Sequence, residues 1–103
     1  MVLADLREYE LLYILRPNLA DDALTPAIDK VNQLVANSGG EVYEVLQAPP
    51  WGRRRLAYPI DKHNEGYYVV NHLRLNPAQS DDFERQLMIS DDVIRHILIR
   101  QDV

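Results

Sequence analysis

The chain has 103 residues, enough for one domain with its own core, and 16 acidic against 11 basic side chains give a net charge of −5. This balance excludes a protein that coats nucleic acid through bulk positive charge, and the lack of cysteine excludes disulfide frameworks and thiolate metal sites. No basic and then apolar leader opens the sequence, and no apolar run approaches the ~20 residues of a membrane span. We therefore expect residues 1–103 to form a single domain without a signal peptide or a membrane partner.

The first third of the chain predicts a strand followed by a helix. Tyr9–Leu15 is a short apolar and aromatic run, which favours a strand buried on both faces. Asp21 and Thr25 both offer helix-start chemistry, so the start is expected between them. Gly39 ends the helix because glycine accepts the left-handed conformation of a helix end. The predicted buried stripe of the helix consists of Leu24, Ile28, Val31 and Val35.

The middle of the chain predicts three extended segments. Val42–Leu46 is a weakly patterned strand, which Pro49 and Pro50 break. Leu56–Ile60 resumes extended structure at an edge, and a turn is expected over Asp61–Gly66. Tyr67–Leu75 is a third strand, whose second half alternates apolar with polar residues as a strand with one solvated face does.

The last third predicts a helix and a final strand, Val93–Arg100. Pro77–Ser80 is expected to cap the helix, with acidic residues in its first turns at Asp81, Asp82 and Glu84. Phe83, Leu87 and, at the margin, Met88 form its apolar face. The order of elements is βαββαβ, which predicts an α+β, ferredoxin-like fold with a four-stranded antiparallel sheet and two helices on one face.

No catalytic, metal or cofactor site is predicted. The three histidines, His63, His72 and His96, are far apart, no pair has metal-ligand spacing, and the paired aspartates sit beside helix ends. Phosphate-cradling, dinucleotide and nucleophile-elbow motifs are absent from the sequence, so neither an enzyme nor a small-molecule substrate is expected.

Positive charge is concentrated in one segment, in which Trp51 and Gly52 precede three arginines. Residues 51–62 carry four cations and one carboxylate, a net +3, so the remainder of the chain carries −8. Guanidinium groups bind phosphate in a fork geometry, and strand periodicity would send Arg54 to the opposite face from its two neighbours. All three reach solvent only if the segment projects from the sheet. Trp51 is either a stacking partner for a base or an apolar plug at the foot of the segment.

The segment WGRRRLAYPI, then Lys62 and the Gly66, Tyr67, Tyr68 triplet, closely resembles the ribosomal protein S6 family of the bacterial small subunit. Arg7–Glu10 resembles the opening strand of that family, and Ser90–Arg95 its last turn and final strand. The resemblance extends over residues 7–100. It implies a non-enzymatic ribosomal protein, in the cytoplasm or an organelle, without a cofactor.

The resemblance also implies partners, namely the central domain of small-subunit ribosomal RNA and the small-subunit ribosomal protein S18, with which family members form a heterodimer. An acidic body suits a basic protein partner, and a local arginine cluster suits phosphate. The candidate RNA-binding residues are Arg7, Trp51, Arg53, Arg54, Arg55, Lys62, Arg95 and Arg100. The candidate partner-binding residues, expected to be exposed on the sheet face without helices, are Leu12, Ile14, Tyr68 and Val70.

Two other functions remain open from the residues. A ferredoxin-like regulatory domain would bind a small molecule, but it would need a glycine-rich loop after the first strand, where Arg16–Leu19 stands instead. A pure protein-interaction module would pair its sheet edge with a partner strand and would have no affinity for RNA.

Overall fold

The computed structural model describes residues 6–60 and 62–101; predictions for residues 1–5, Asp61 and residues 102–103 lie outside the described residues. The order of elements is β1 (Arg7–Leu15), α1 (Asp21–Asn37), β2 (Glu41–Leu46), β3 (Gly52–Ile60), β4 (His63–Leu75), α2 (Pro77–Ile89) and β5 (Val93–Arg100). None of the described helices is both long and apolar enough to cross a membrane.

The strands form one antiparallel sheet in the order β2-β4-β1-β5, and β3 pairs with β4 beyond the end of β2. Because β1 occupies one edge of β4, β2 and β3 must follow each other along its other edge. The predicted ferredoxin-like α+β plan is therefore confirmed, but the sheet has five strands and not four, because the predicted extended segment Leu56–Ile60 is part of β3 and pairs with β4.

The core lies between the sheet and the two helices, because alternate residues of β1 and β4 point toward the helices. It includes Tyr13 and Leu73 from the sheet, Val31 from α1 and Phe83 from α2, all buried. Asn71 is buried among them, and its side-chain amide donates a hydrogen bond to Oδ1 of Asn32 at 2.9 Å. The face of the sheet opposite the helices is called the open face below.

Helix α1 begins at Asp21, one of the two predicted limits, and Pro26 lies inside the helix. Its N-cap residue, Ala20, makes no side-chain capping bond, so the carboxylates of Asp21 and Asp22 supply the favourable charge at this end. Gly39, with φ 83°, follows the helix in the left-handed conformation that the sequence predicted.

Helix α2 corrects two predictions. Asn76 caps it by accepting a hydrogen bond from the backbone N–H of Ala78 at 2.9 Å, with Pro77 at the first position. The helix thus starts earlier than predicted, and its first turn holds no acidic residue. Met88 is 74% exposed and does not join the apolar face, because that face is completed by Phe83 and Leu87.

The predicted turn over Asp61–Gly66 is wrong, because β4 already begins at His63. Ile60 pairs with His63, and Lys62 adopts a left-handed backbone conformation with φ 70°, as tight hairpin connections require. The first residues of β4 pair with β3 alone, since β1 reaches only Tyr67. A β-hairpin therefore projects beyond the body of the sheet, and it carries the arginine segment.

Candidate nucleic-acid and protein interface

The open face carries four rows of side chains that cross the strands. The register of the strands places them in the following order: Arg95, Ile14 and Tyr68; Ile97, Leu12, Val70 and Leu46; Ile99, Glu10, His72 and Glu44; and Glu8, Arg74 and Glu41. We call the first two rows the apolar end and the last two the acidic end. The hairpin of β3 and β4 projects from the apolar end, so the arginine segment lies next to the apolar rows and away from the glutamates of the acidic end.

The three arginines are exposed on β3, and each has different contacts. The guanidinium Nη1 of Arg53 donates a hydrogen bond to the carbonyl of Pro17 at 2.9 Å and lies 4.0 Å from the Glu65 carboxylate. The guanidinium of Arg54 lies over the Tyr68 ring, 4.9 Å from its centroid. Arg55 makes no hydrogen bond or ion pair with any residue in 6–60 or 62–101. Arg54 thus occupies the open face, and Arg53 reaches the loop after β1.

An apolar pocket opens on the same face beside the hairpin. The register between β3 and β4 shifts after Arg55, and such a shift bends a strand. The bend brings apolar residues of β3 toward the sheet, and the pocket has a volume of about 240 Å³. Its principal apolar lining residues are Leu12, Ile14, Leu56, Tyr58, Ile60, Tyr68 and Ile97. This volume is below the roughly 300–1,000 Å³ of small-molecule pockets and suits a large side chain better.

Two of the four candidate partner-binding residues are not exposed as predicted. Ile14 is 7% and Val70 is 2% exposed, whereas Leu12 and Tyr68 are half-buried. Ile14 packs over Gly66, where an added Cβ would collide with the isoleucine side chain. Val70 lies between Leu12 and Leu46 of the neighbouring strands. Both residues therefore form the floor of the face, and Leu12 and Tyr68 are its accessible parts.

The acidic end satisfies its charges internally. His72 has Glu44 at 2.6 Å from Nδ1 and Glu10 at 3.0 Å from Nε2. A neutral imidazole carries one N–H, so two carboxylates facing its two nitrogens fit the doubly protonated cation. The hydrogen bond with Glu10, followed by that with Glu44, raises the pKa of His72 above its usual value.

The last row of the acidic end is also paired. Arg74 donates to Glu41 at 3.0 Å and lies over the ring of Tyr43, 4.4 Å from its centroid. The hydroxyl of Tyr43 in turn donates to Glu8 at 2.8 Å. These contacts join β1, β4 and β2 across the width of the sheet.

The structure separates the candidate RNA-binding residues into two groups. Arg95 lies in the first row, beside the arginine segment, and Lys62 stands at the tip of the hairpin. Arg7 and Arg100 lie at the other end of β1 and β5, about 20 Å away at the rise of a strand. Both have interactions within the chain. Trp51 is half-buried immediately before β3, a position that suits a base-stacking ring as well as an apolar plug at the foot of the segment.

Sequence reasoning missed the contribution of Leu56, Tyr58 and Ile60 to the pocket. Their period of two was a signal for one shared strand face. It also missed the pairing of His72 with two glutamates, although the three lie on predicted strands. Among residues 6–60 and 62–101, no group of histidine, aspartate and glutamate side chains is arranged to hold a metal ion.

The family model described as Ribosomal protein S6 matches residues 8–100 of the chain. The small ribosomal subunit protein bS6 of Moorella thermoacetica is 42% identical over 95 residues, which cover 92% of this chain and 94% of that protein. The crystal structure of 30S ribosomal protein S6 from Thermotoga maritima matches with a TM-score of 0.83 at 26% identity, covering 93% of this chain and 88% of that one.

A second solved structure is similar in fold alone. The solution structure of the C-terminal domain of the MgtC protein from Mycobacterium tuberculosis has a TM-score of 0.61 at 13% identity, and the match covers 99% of this chain and 95% of that one.

Proposed function

Because the chain belongs to the ribosomal protein S6 family, we propose that it binds the central domain of small-subunit ribosomal RNA as a heterodimer with the ribosomal protein S18. Family membership makes it a non-enzymatic protein of the small ribosomal subunit and confirms the resemblance found in the sequence. Our proposal adds to family membership the RNA, the protein partner and the residues that bind each of them.

One observation carries the RNA part of the proposal: an acidic chain presents three consecutive exposed arginines on a hairpin that projects from its sheet. A guanidinium group offers a fork of donors that matches phosphate. Arg55 has no competing partner among the described residues, and Arg95 adds a cation beside the hairpin. Lys62 at the hairpin tip extends this surface, and Arg7 and Arg100 would meet RNA at a separate place.

The apolar pocket is the proposed docking site for S18. Its lining is mainly aliphatic and aromatic, with Arg95 and His96 as its polar members and Tyr58 60% exposed, so an apolar side chain that enters it leaves water. The net charge of −5 favours encounter with a basic partner, while buried apolar contact holds the complex. Leu12 and Tyr68 would touch that partner, and Ile14 and Val70 would support them from below.

The RNA part is tested with the heterodimer on a central-domain RNA fragment, because a few phosphate contacts alone bind weakly. Each lost phosphate contact should flatten the slope of log K against log salt by roughly 0.7–0.9. Replacing Arg53, Arg54 and Arg55 together with alanine should flatten it by about two units if two or three of them reach phosphate. Exposed substitutions typically change stability by only about 0.5 kcal/mol each, so the fold should survive.

The matched control is Arg85→Ala, which removes an exposed arginine of α2 that is paired with Asp82 at 2.9 Å. It should leave the salt slope unchanged. An unchanged slope in the folded triple variant would mean that the arginines serve the chain's own carboxylates or the protein partner. That result would favour the protein-interaction module without RNA affinity.

A further inference from the structure

Tyr68 belongs to both proposed surfaces. Its side chain lines the apolar pocket with Leu12 and Ile14, and the guanidinium of Arg54 lies 4.9 Å from its ring centroid. The contact is diagonal across the hairpin, because Tyr68 is paired with Gly52 and Arg54 with Gly66. One aromatic ring therefore separates the pocket from the arginine segment.

The local sequence explains why Arg54 leans over this ring. The residue directly opposite Arg54 is Gly66, which offers no side chain and is covered by Ile14. The residue opposite Tyr68 is Gly52, so the tyrosine also has no cross-strand side chain on β3. Because neither glycine presents a side chain across the strand pair, the guanidinium of Arg54 and the ring of Tyr68 meet along the diagonal, while Ile14 and the Gln47 carbonyl occupy the places that a Cβ would take.

The neighbouring arginines lack this connection. Arg53 is held by the carbonyl of Pro17 in the loop after β1, and Arg55 has no hydrogen bond or ion pair within the described part of the chain. Of the three, Arg54 is the one whose guanidinium stacks on a residue of the pocket. This pair therefore links the lining of the pocket to the arginine segment.

We propose that the stack of Arg54 on Tyr68 couples the two surfaces, so that a partner side chain in the pocket positions Arg54 for RNA phosphate. The inference rests on the proposed function and names a positioning residue within it. In the free protein the ring of Tyr68 is half-buried with one side toward the open pocket, and the guanidinium that lies over it belongs to an exposed residue. An apolar side chain in the pocket fixes the ring from the other side, and the guanidinium is then ordered before RNA arrives, which lowers the cost of ordering it.

Coupling between two binding sites is reciprocal, so RNA must strengthen partner binding by the same factor as the partner strengthens RNA binding. The size of the effect is limited by the stack. An exposed cation–π pair supplies enough free energy for a factor of about two to five. A change of this size is small compared with the total affinity for either partner. The stack therefore modulates the affinity of the assembly, and other contacts provide most of the binding free energy.

The test measures the affinity of the chain for S18 of the same organism with and without a saturating central-domain RNA fragment, by titration calorimetry. The ratio of the two dissociation constants is the coupling factor. Direct contacts between S18 and RNA contribute to it equally in every variant, so differences between variants report the stack. Arg54→Ala and Tyr68→Leu should each lower the factor about two- to fivefold, and the double variant should lower it no further.

Two variants serve as controls. Tyr68→Phe keeps the aromatic ring and should keep the wild-type coupling factor. Arg55→Ala removes a neighbouring guanidinium that has no contact with the ring, so it should weaken RNA binding without changing the factor. An Arg54→Ala protein with the wild-type coupling factor would overturn the inference and leave the proposed function intact. If every arginine variant bound RNA as tightly as the wild type, that result would instead contradict the proposed function.

Discussion

The acidic end and the apolar end of the open face are built largely from the same strands, yet their charged groups differ in pairing. At the acidic end His72 is bound by Glu10 and Glu44, and Arg74 is bound by Glu41. At the apolar end a pocket of about 240 Å³ is open, and Arg95 in its lining has no ionic partner in the described residues. Internal pairing marks the first as a brace between strands, and unmatched groups mark the second as a binding surface.

The difference follows from the lengths of the strands. Next to the acidic end, β2 lies against β4 and brings Glu41 and Glu44 opposite Arg74 and His72. Within the apolar end, β2 stops at Leu46 opposite Val70, and from Tyr68 the edge of β4 passes to β3, whose register shift carries apolar residues over the face. The change of edge strand thus divides one sheet face into two regions of different chemistry.

The largest effect is expected within the apolar end, where the floor and the accessible wall can be told apart. Ile14→Ala should lower the free energy of unfolding by about 2–4 kcal/mol, because a buried aliphatic side chain is removed above Gly66. Leu12→Ala should cost less, since its half-buried side chain borders an open pocket that water can enter. Urea unfolding of both variants measures the contrast, and equal costs would mean that the two residues share one role.

Partner binding should depend on the apolar end more than on the net charge of the molecule. Tyr68→Ala is expected to weaken the complex with S18 about tenfold or more, as loss of a buried aromatic anchor does. Asp22→Lys reverses an exposed charge on α1, on the opposite side of the sheet, and should have a smaller effect, mainly on the association rate. Equal or inverted effects in a titration would place the interface elsewhere.

Most of the architecture could be predicted from the sequence, because periodicity reports which side of an element is buried. The stripe of Val31 and Val35 and the alternation in Tyr67–Leu75 gave the two layers correctly. The path of the hairpin could not be predicted, since the start of β4 at His63 and the register shift in β3 depend on pairing between strands. The exposure of residues on the open face was harder still to predict, because Ile14 and Val70 are buried by neighbours that alternation alone does not identify.

The candidate site could be predicted in part. The arginine segment could be identified from the sequence, and strand periodicity set the condition that all three arginines reach solvent only if the segment projects from the sheet. The brace at the acidic end was invisible, because the glutamates that bind His72 lie 28 and 62 residues away from it in the sequence. Residues so far apart in the sequence come into contact only because the order of strands in the sheet places β2, β4 and β1 side by side.

The arginines themselves should differ from one another in their response to salt. Arg55→Ala should flatten the slope of log K against log salt for the heterodimer and RNA by roughly 0.7–0.9 and leave the stability unchanged. Arg53→Ala should instead lower the stability slightly, because its bond to the Pro17 carbonyl ties the hairpin to the loop after β1. Salt titrations with parallel thermal unfolding separate the two roles, and identical behaviour of both variants would contradict the assignment.

The smallest effect is expected at the acidic end, and it depends on pH. Because hydrogen bonds with Glu10 and Glu44 raise the pKa of His72, the folded chain holds this proton more tightly than the unfolded chain. The resulting stability is fully present below the ordinary histidine pKa of about 6.5 and is lost as the pH rises through the raised value. The two glutamates are partly exposed, so the contribution should be about 1 kcal/mol or less.

Unfolding free energies of the wild type and of His72→Gln, measured between pH 6 and pH 9, test this brace. The advantage of the wild type should shrink as the pH rises, since neutral imidazole can donate to one carboxylate only. Glu10→Gln removes the strongest cause of the raised pKa, so an NMR titration of the His72 ring should move to lower pH in that variant. Arg74 and Tyr43 stay paired with Glu41 and Glu8 throughout, so β2 should remain attached even at pH 9. A difference between wild type and His72→Gln that grows with pH would show that the histidine is neutral in the folded chain and that another group holds the two strands together.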